Sequence, residues 1–277
     1  MRMVRKVKLT PKGEIAIMVE AELISPDSFA EKSEAEIGAL AVWQGPREFL
    51  LSEFFEVEAW DEEGPEKEGG TVQILIDGDV SRVKRIGQKM TGGRIEIRGS
   101  SGMHLGSEMA GGEILLRGDA GSWAGMNMSG GLLEVEGSVG DHAGSAYRGS
   151  WRGMSGGKIL VRGNARSQLG GGISGGEILV EGSVENFCGI RQSGGLILVK
   201  GDAVRGVGAE MVGGMIAVFG RIHQFTPGFI EVGPERDPAM GEKKLEGEFV
   251  KFFGDYAVSK NPKGVLYVTE YQAEAMR

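Results

Sequence analysis

Gly92-Gly93-Arg94-Ile95-Glu96-Ile97-Arg98-Gly99 returns as Gly111-Gly112-Glu113-Ile114-Leu115-Leu116-Arg117-Gly118, and again as Gly130-Gly131-Leu132-Leu133-Glu134-Val135-Glu136-Gly137. The second glycine of each such pair stands at 93, 112, 131, 157, 176, 195 and 214, a spacing of 19 residues with one exception of 26. Between each pair and its closing glycine the apolar residues alternate with period two, as in Ile95/Ile97, Ile159/Val161 and Ile216/Val218. That period belongs to a strand and not to a helix. A strand of about five residues cannot bury its own apolar face, but copies stacked in register can. Parallel strands need a long return connection, which the rest of each copy supplies. The pattern predicts an all-β chain: a single-stranded parallel β-helix of about seven coils, with small capping segments at both ends.

The other columns agree with stacking. Ala120, Val139, Ala165, Val184 and Ala203 recur two residues after the strand glycine. Leu105, Ala124, Ala143, Leu169, Cys188 and Val207 form a second column, and Met90, Met109, Met128, Met154, Ile173, Gln192 and Met211 a third. All three are expected inside. Asp119, Ser138, Asn164, Ser183 and Asp202 are turn formers. The outward positions Arg98, Arg117, Glu136, Arg162, Glu181 and Lys200 mix signs and predict a solvated ladder of weak ion pairs. A second outward column turns apolar at Leu160, Leu179, Leu198 and Ala217, with Leu196 and Met215 beside it. Such a strip needs a cover. The expected one is the chain's own tail, through Phe249, Phe252, Phe253 and Tyr256; another subunit is the alternative.

Of the 49 glycines, 39 lie between Gly69 and Gly220, which sets the expected divisions: an N-terminal mixed cap over 1–68, the glycine-rich unit over 69–229, and a C-terminal return over 230–277. In the first, Val4–Leu9 and Ile15–Leu23 read as strands joined by a turn at Thr10–Gly13. Ser25 and Pro26 open a helix. Phe49, Leu50, Leu51, Phe54 and Phe55 cap the first coil, and Glu62–Gly70 is a linker. In the last, Pro234–Leu245 is expected to loop out, and Phe249–Ala257 and Gly264–Tyr271 to resume strand.

Several functions are disfavoured. A net charge of −8 argues against nucleic acid as the main partner. No apolar run is long enough for a membrane span, and Met1–Lys6 lacks a signal-peptide core. A cytoplasmic location is expected. The lone Cys188 sits in an apolar column and reads as core. A Gly/Asp calcium repeat would have period nine, not 19. His104, His142 and His223 lack ligand spacing. His104 and His142 share a column with Trp123 and Phe187, either packing or a contact surface. No nucleophile–base or paired-carboxylate arrangement stands out, so no catalytic, cofactor or metal residue is expected on this chain.

The 26-residue spacing marks a seven-residue insertion in Gly144–Gly157, which holds Tyr147, Arg148, Trp151 and Arg152, types enriched where proteins meet. Packing of the loop on its own wall is the plainer alternative. Here the chain resembles the C-subunit of formylmethanofuran dehydrogenase. Ile76–Val80 with Lys84–Gln88, Ala120–Gly125 and Gly144–Gly157 carry the match. So does the unit Gly (or Trp)-x-x-Met-x-x-Gly-x-Ile/Leu-x-Ile/Val-x-Gly, which starts at Gly87, Gly106, Gly125, Trp151, Gly170, Gly189 and Gly208. Ile173 and Gln192 depart from its Met position. The family is similar to the glycine-rich C-terminal domain of the glutamate synthase large subunit, so the resemblance implies a right-handed β-helix acting as a structural subunit. It implies a complex that reduces CO2 and attaches it to methanofuran. The chemistry is then on partners, a molybdopterin-type subunit, an amidohydrolase-like subunit and small accessory subunits, with molybdopterin carrying tungsten or molybdenum, iron–sulfur clusters and a dinuclear metal site among them. A glutamate-synthase-like module, the corresponding subunit of a formyltransferase/hydrolase complex, and an enzyme with a site on the wall are the alternatives. Tyr147, Arg148, Trp151, Arg152, His104, Trp123 and His142 are the candidate contacts to a partner or to methanofuran.

Overall fold

The computed structural model describes residues 2–64, 72–241 and 243–272. Its main feature is a mixed sheet of 15 strands. The strands Arg94–Ile97, Glu113–Leu116, Leu132–Val135, Lys158–Val161 and Glu177–Val180 lie parallel and in register, so that Ile95, Ile114, Leu133, Ile159 and Ile178 are successive neighbours. Ser193–Val199 and Gly213–Gln224 continue the series. Each strand's alternate residues are buried, Ile95, Ile97, Leu133, Val135, Ile178 and Val180 all at 0% exposure. The methionine column is equally enclosed, from Met90 to Met211.

The glycine pairs make this spacing possible. A Cβ built on Gly130 would sit 2.1 Å from the carbonyl oxygen of Ala110 in the preceding copy. The second glycine, Gly131, has φ +81°, and a Cβ there would meet the Met109 methyl at 2.5 Å. Met90, Met109 and Met154 thus fill the room that Gly112, Gly131 and Gly176 of the next copy leave empty. The turn column has its own ladder. Asp119 Oδ1 accepts from Ser138 N–H at 2.7 Å, Ser138 Oγ from Asn164 N–H at 3.0 Å, and Asn164 Oδ1 from Ser183 N–H at 2.8 Å. A short acceptor side chain at this position satisfies a backbone donor one copy further on, which explains its Ser, Asn and Asp.

The expected single-stranded right-handed parallel β-helix with small caps is corrected by the strand pairing. The sheet is parallel only in its centre. Arg2–Pro11 pairs parallel with Val72–Ile76 on one side and antiparallel with Phe55–Gly64 on the other. At the far end Gly264–Tyr271 pairs parallel with Gly213–Gln224, then antiparallel with Glu248–Gly254, which pairs antiparallel with Ile230–Arg236. The terminal segments are thus members of the sheet and not separate plugs. The physical reason is the open edge: an end strand has unpaired N–H and C=O groups, and an antiparallel addition satisfies them without a further full return of the chain.

Other expectations shift with this. Ile15–Leu23 holds only the two-residue strand Val19–Glu20, which joins a second, four-stranded sheet with Ala41–Gln44, Arg47–Leu50 and Val83–Lys84. Thr10 and Pro11 belong to the first strand, so no hairpin forms there. Ser25 does cap the helix Pro26–Phe29, accepting from Ser28 N–H. Leu51 and Phe55 are buried against the core, whereas Leu50 is exposed. In the expected linker, Glu62–Gly64 is still strand, and 65–70 lies outside the described residues.

The tail does cover the apolar strip: of the expected side chains Phe249 and Phe253 take part, and Phe252 and Tyr256 do not. Leu198 and Ala217 cluster with Met240, Leu245, Phe249, Val265 and Tyr267. Pro234–Leu245 therefore folds back instead of looping out, with Met240 and Leu245 buried. Phe252 turns into the main core and Tyr256 stays exposed. The charge ladder forms as expected: Arg117 reaches Glu96 and Glu136, and Arg162 reaches Glu134 and Glu181. Lys200 instead lies 3.6 Å over the Phe219 ring.

Candidate partner-docking site

A turn of the form x-apolar-Gly recurs at Arg85, His104, Trp123, His142, Gln168 and Phe187, and the residue after each, from Ile86 to Cys188, is buried. With that neighbour pointing in, the first residue points out. Its backbone is left-handed throughout, with φ 67°, 64°, 69°, 63°, 62° and 61°. A side chain in that region costs about 1–2 kcal/mol per residue, which glycine would avoid. Glycine does take the position one copy later, at Gly206 with φ +69°.

Because successive copies are in register, these side chains stack. Trp123 lies between the two imidazoles, 4.1 Å from His142 at an interplanar angle of 11° and 6.0 Å from His104 at 13°. Burial holds both histidines below their ordinary pKa, aided at His104 by Arg85 and Lys84 and at His142 by Arg148. Trp123 is buried, and among the described residues His104 Nδ1 is buried without a hydrogen-bond partner.

The insertion follows His142 directly. Its base is pinned: Ser145 Oγ donates to His142 O at 2.7 Å, Ala146 N–H to Gly171 O at 2.9 Å, and Gly153 N–H to Gly172 O at 2.8 Å. Asn127 Oδ1 accepts from Tyr147 N–H at 3.1 Å. Between these anchors the tip stands out, with Tyr147 59% and Trp151 71% exposed and Arg148 and Arg152 exposed beside them. Trp151 is not loose, since the Arg191 guanidinium lies 4.7 Å over its ring and is itself held by Glu210 at 2.8 Å. Loop and wall enclose a cleft of ≈ 530 Å³ including its open mouth, lined by Trp123, His142, Tyr147, Arg148, Trp151 and Gln168 among others.

The structure thus brings Trp123, His142, Tyr147, Arg148 and Trp151 into one cleft. His104 lies one copy behind, across Trp123, and Arg152 stands on the loop outside the lining. Sequence reasoning missed Gln168 and Arg191. Gln168 was within reach: it stands 26 residues after His142, the same step as the glycine pairs. Arg191 belongs to a later copy, and no sequence signal ties it to Trp151. The remaining nucleophile type, Cys188, is fully enclosed, and burial pushes its thiol up to about 12.

Stacked strands carrying a rigidly based, aromatic and cationic loop make a chain whose prominent exposed feature is that loop. Among the described residues no helix is long and apolar enough to cross a membrane. No family model matches the sequence. The chain is 68% identical over 263 residues to the C-subunit of the molybdenum-containing formylmethanofuran dehydrogenase 1 of Methanosarcina barkeri, covering 95% of this chain and 86% of that one. It is 61% identical over 262 residues to the C-subunit of the tungsten-containing formylmethanofuran dehydrogenase 2 of Methanothermobacter wolfeii, covering 95% of each. A chain in the crystal structure of the formyltransferase/hydrolase complex (FhcABCD) from Methylorubrum extorquens in complex with methylofuran superposes with TM-score 0.79 at 28% identity, covering 94% of this chain and 98% of that one. The chain belongs to the family of formylmethanofuran dehydrogenase C-subunits.

Proposed function

We propose that this chain is the non-catalytic structural subunit of a formylmethanofuran dehydrogenase complex, held against a neighbouring subunit through the 144–157 loop and the Trp123–His142 wall. In this reading the complex reduces CO2 and attaches it to methanofuran. The molybdopterin with tungsten or molybdenum, the iron–sulfur clusters and the dinuclear metal site belong to its other subunits. The observation that carries the docking role is the loop itself. Its base is hydrogen-bonded to a stiff stack on both sides, yet it leaves Tyr147 and Trp151 mostly in water. Pre-organised aromatic and arginine side chains are the common anchors of protein interfaces. Cys188 is enclosed in the core, and His104 and His142 stack against Trp123. The formyltransferase/hydrolase alternative is weaker, because that likeness is 28% identical against 68% for the dehydrogenase subunit. The test is co-purification of the complex with tagged Trp151→Ala/Arg152→Ala chain. The variant is expected to fold with an unchanged melting temperature and to lose most of its partner subunits. Full retention of the partners at unchanged turnover would remove the docking role.

A further inference from the structure

We infer that the cleft beside the 144–157 loop receives an extended acidic segment of another protein chain. The inference rests on the docking role proposed above and names the chemistry of the partner.

The first observation is charge. The chain carries a net −8, yet from His142 through Gly176 it has no Asp or Glu, while it has Arg148, Arg152, Lys158, Arg162 and Arg166. Two of these cations are neutralised from outside the stretch, Lys158 by Glu177 and Arg162 by Glu134 and Glu181. Among the described residues the guanidinium groups of Arg148, Arg152 and Arg166 make no ion pair, and all three are exposed; Arg148 lines the cleft, Arg152 stands on its loop, and Arg166 lies outside the lining, at the register position of Glu185 in the next copy. Most basic side chains near the N-terminal edge behave otherwise: Arg5, Lys6, Lys8 and Lys84 all have acidic partners. An unneutralised basic patch on an acidic protein attracts a partner of opposite sign and repels other copies of the same chain.

The second observation is shape. The cleft is open along its mouth and walled by flat rings, Trp123 and His142 on the stack and Tyr147 and Trp151 on the loop. Such walls take the methylene stem of an acidic side chain while its carboxylate meets a guanidinium at the rim. The third is the weakness of any one contact. Exposed ion pairs hold little singly, and the cleft's buried hydroxyl, Ser145 Oγ, is already donated to His142 O. An extended segment presents carboxylates on alternate residues, roughly 7 Å apart, and can engage several cations at once.

The experiment uses the assembled complex, isolated through a tag on this chain, and two variants. Arg148→Gln/Arg152→Gln/Arg166→Gln is expected to retain partner about tenfold less than wild type near physiological salt. Wild-type retention should fall as salt rises, and the triple variant's should not. Trp151→Ala should lose partner at every salt concentration. If Trp151→Ala loses partner while the triple variant keeps it at all salt concentrations, docking stands and the acidic partner is overturned. If neither variant loses partner, the docking role fails and this inference with it. A photo-crosslinking residue at Tyr147 identifies the occupant by mass spectrometry. An Asp/Glu-rich stretch of a different chain is the expected product; a neutral or basic stretch, a small molecule, or a second copy of this chain overturns the inference.

Discussion

Gly130, the first glycine of a pair in the 19-residue pattern, and Gly13, which lies outside that pattern, should respond differently to alanine. A Cβ on Gly130 lies 2.1 Å from Ala110 O and 3.0 Å from Ala110 C. Both are backbone atoms, so no rotamer change gives relief. Ordinary contact needs roughly 1 Å more, and the neighbouring copies must part by that much. The bonds at risk are those that Ser129 and Gly130 N–H donate to Met109 O, at 2.8 and 3.3 Å. Losing them costs about 1 kcal/mol each, and loosened packing around Met109 adds a similar amount. Gly130→Ala should therefore cost about 2–4 kcal/mol. At about 2–4 °C per kcal/mol for a chain of this size, the melting temperature should fall by roughly 5–15 °C. Among the described residues nothing lies within 4 Å of the Cβ position of Gly13, and its φ is outside the left-handed region. Gly13→Ala should be neutral or stabilising by up to about 1 kcal/mol, because alanine restricts the unfolded chain. Thermal unfolding of the purified chain by circular dichroism measures both. Equal melting temperatures for the two variants would refute the close approach of successive copies.

Three further outcomes are expected. Burial lowers the His104 and His142 pKa in the folded chain, so the unfolded state binds more protons and stability is complete above the ordinary value of 6.5. It should fall as pH drops below that, and His104→Gln/His142→Gln should flatten the fall; an unchanged slope in the double variant counts against the buried stack. Cys188 should not react with a thiol reagent in the native chain at pH 8 and should react with one equivalent after denaturation; native labelling at the denatured rate would place it at the surface. A chain ended after Phe229 exposes Leu198 and Ala217, now covered by Met240, Leu245 and Phe249, and should bind a hydrophobic dye or aggregate; a soluble, dye-silent truncation would show that the tail is not the cover.

Period-two alternation inside a 19-residue period was enough to place the strands, to turn Ile95, Ile114, Leu133 and their counterparts inward, and to bury the methionine column. It also singled out Gly144–Gly157, because an insertion in a regular series has no packing role that the other copies do not already fill. These readings hold because each copy meets the same neighbours as the last, so a local pattern encodes a non-local contact. Where that equivalence ends, the sequence alone decided little. At the two ends no further copy exists. There the chain closes the sheet by reversing Phe55–Gly64 and Glu248–Gly254 against it, which changes a parallel stack into a mixed sheet. Met240 and Leu245 look like parts of a charged loop until that reversal lays them on Leu198 and Ala217. Arg191 joins the cleft only because its copy lies beside the loop in space. Gly130 is one glycine among many in the sequence, and only the Ala110 carbonyl beneath it in the fold makes its hydrogen indispensable.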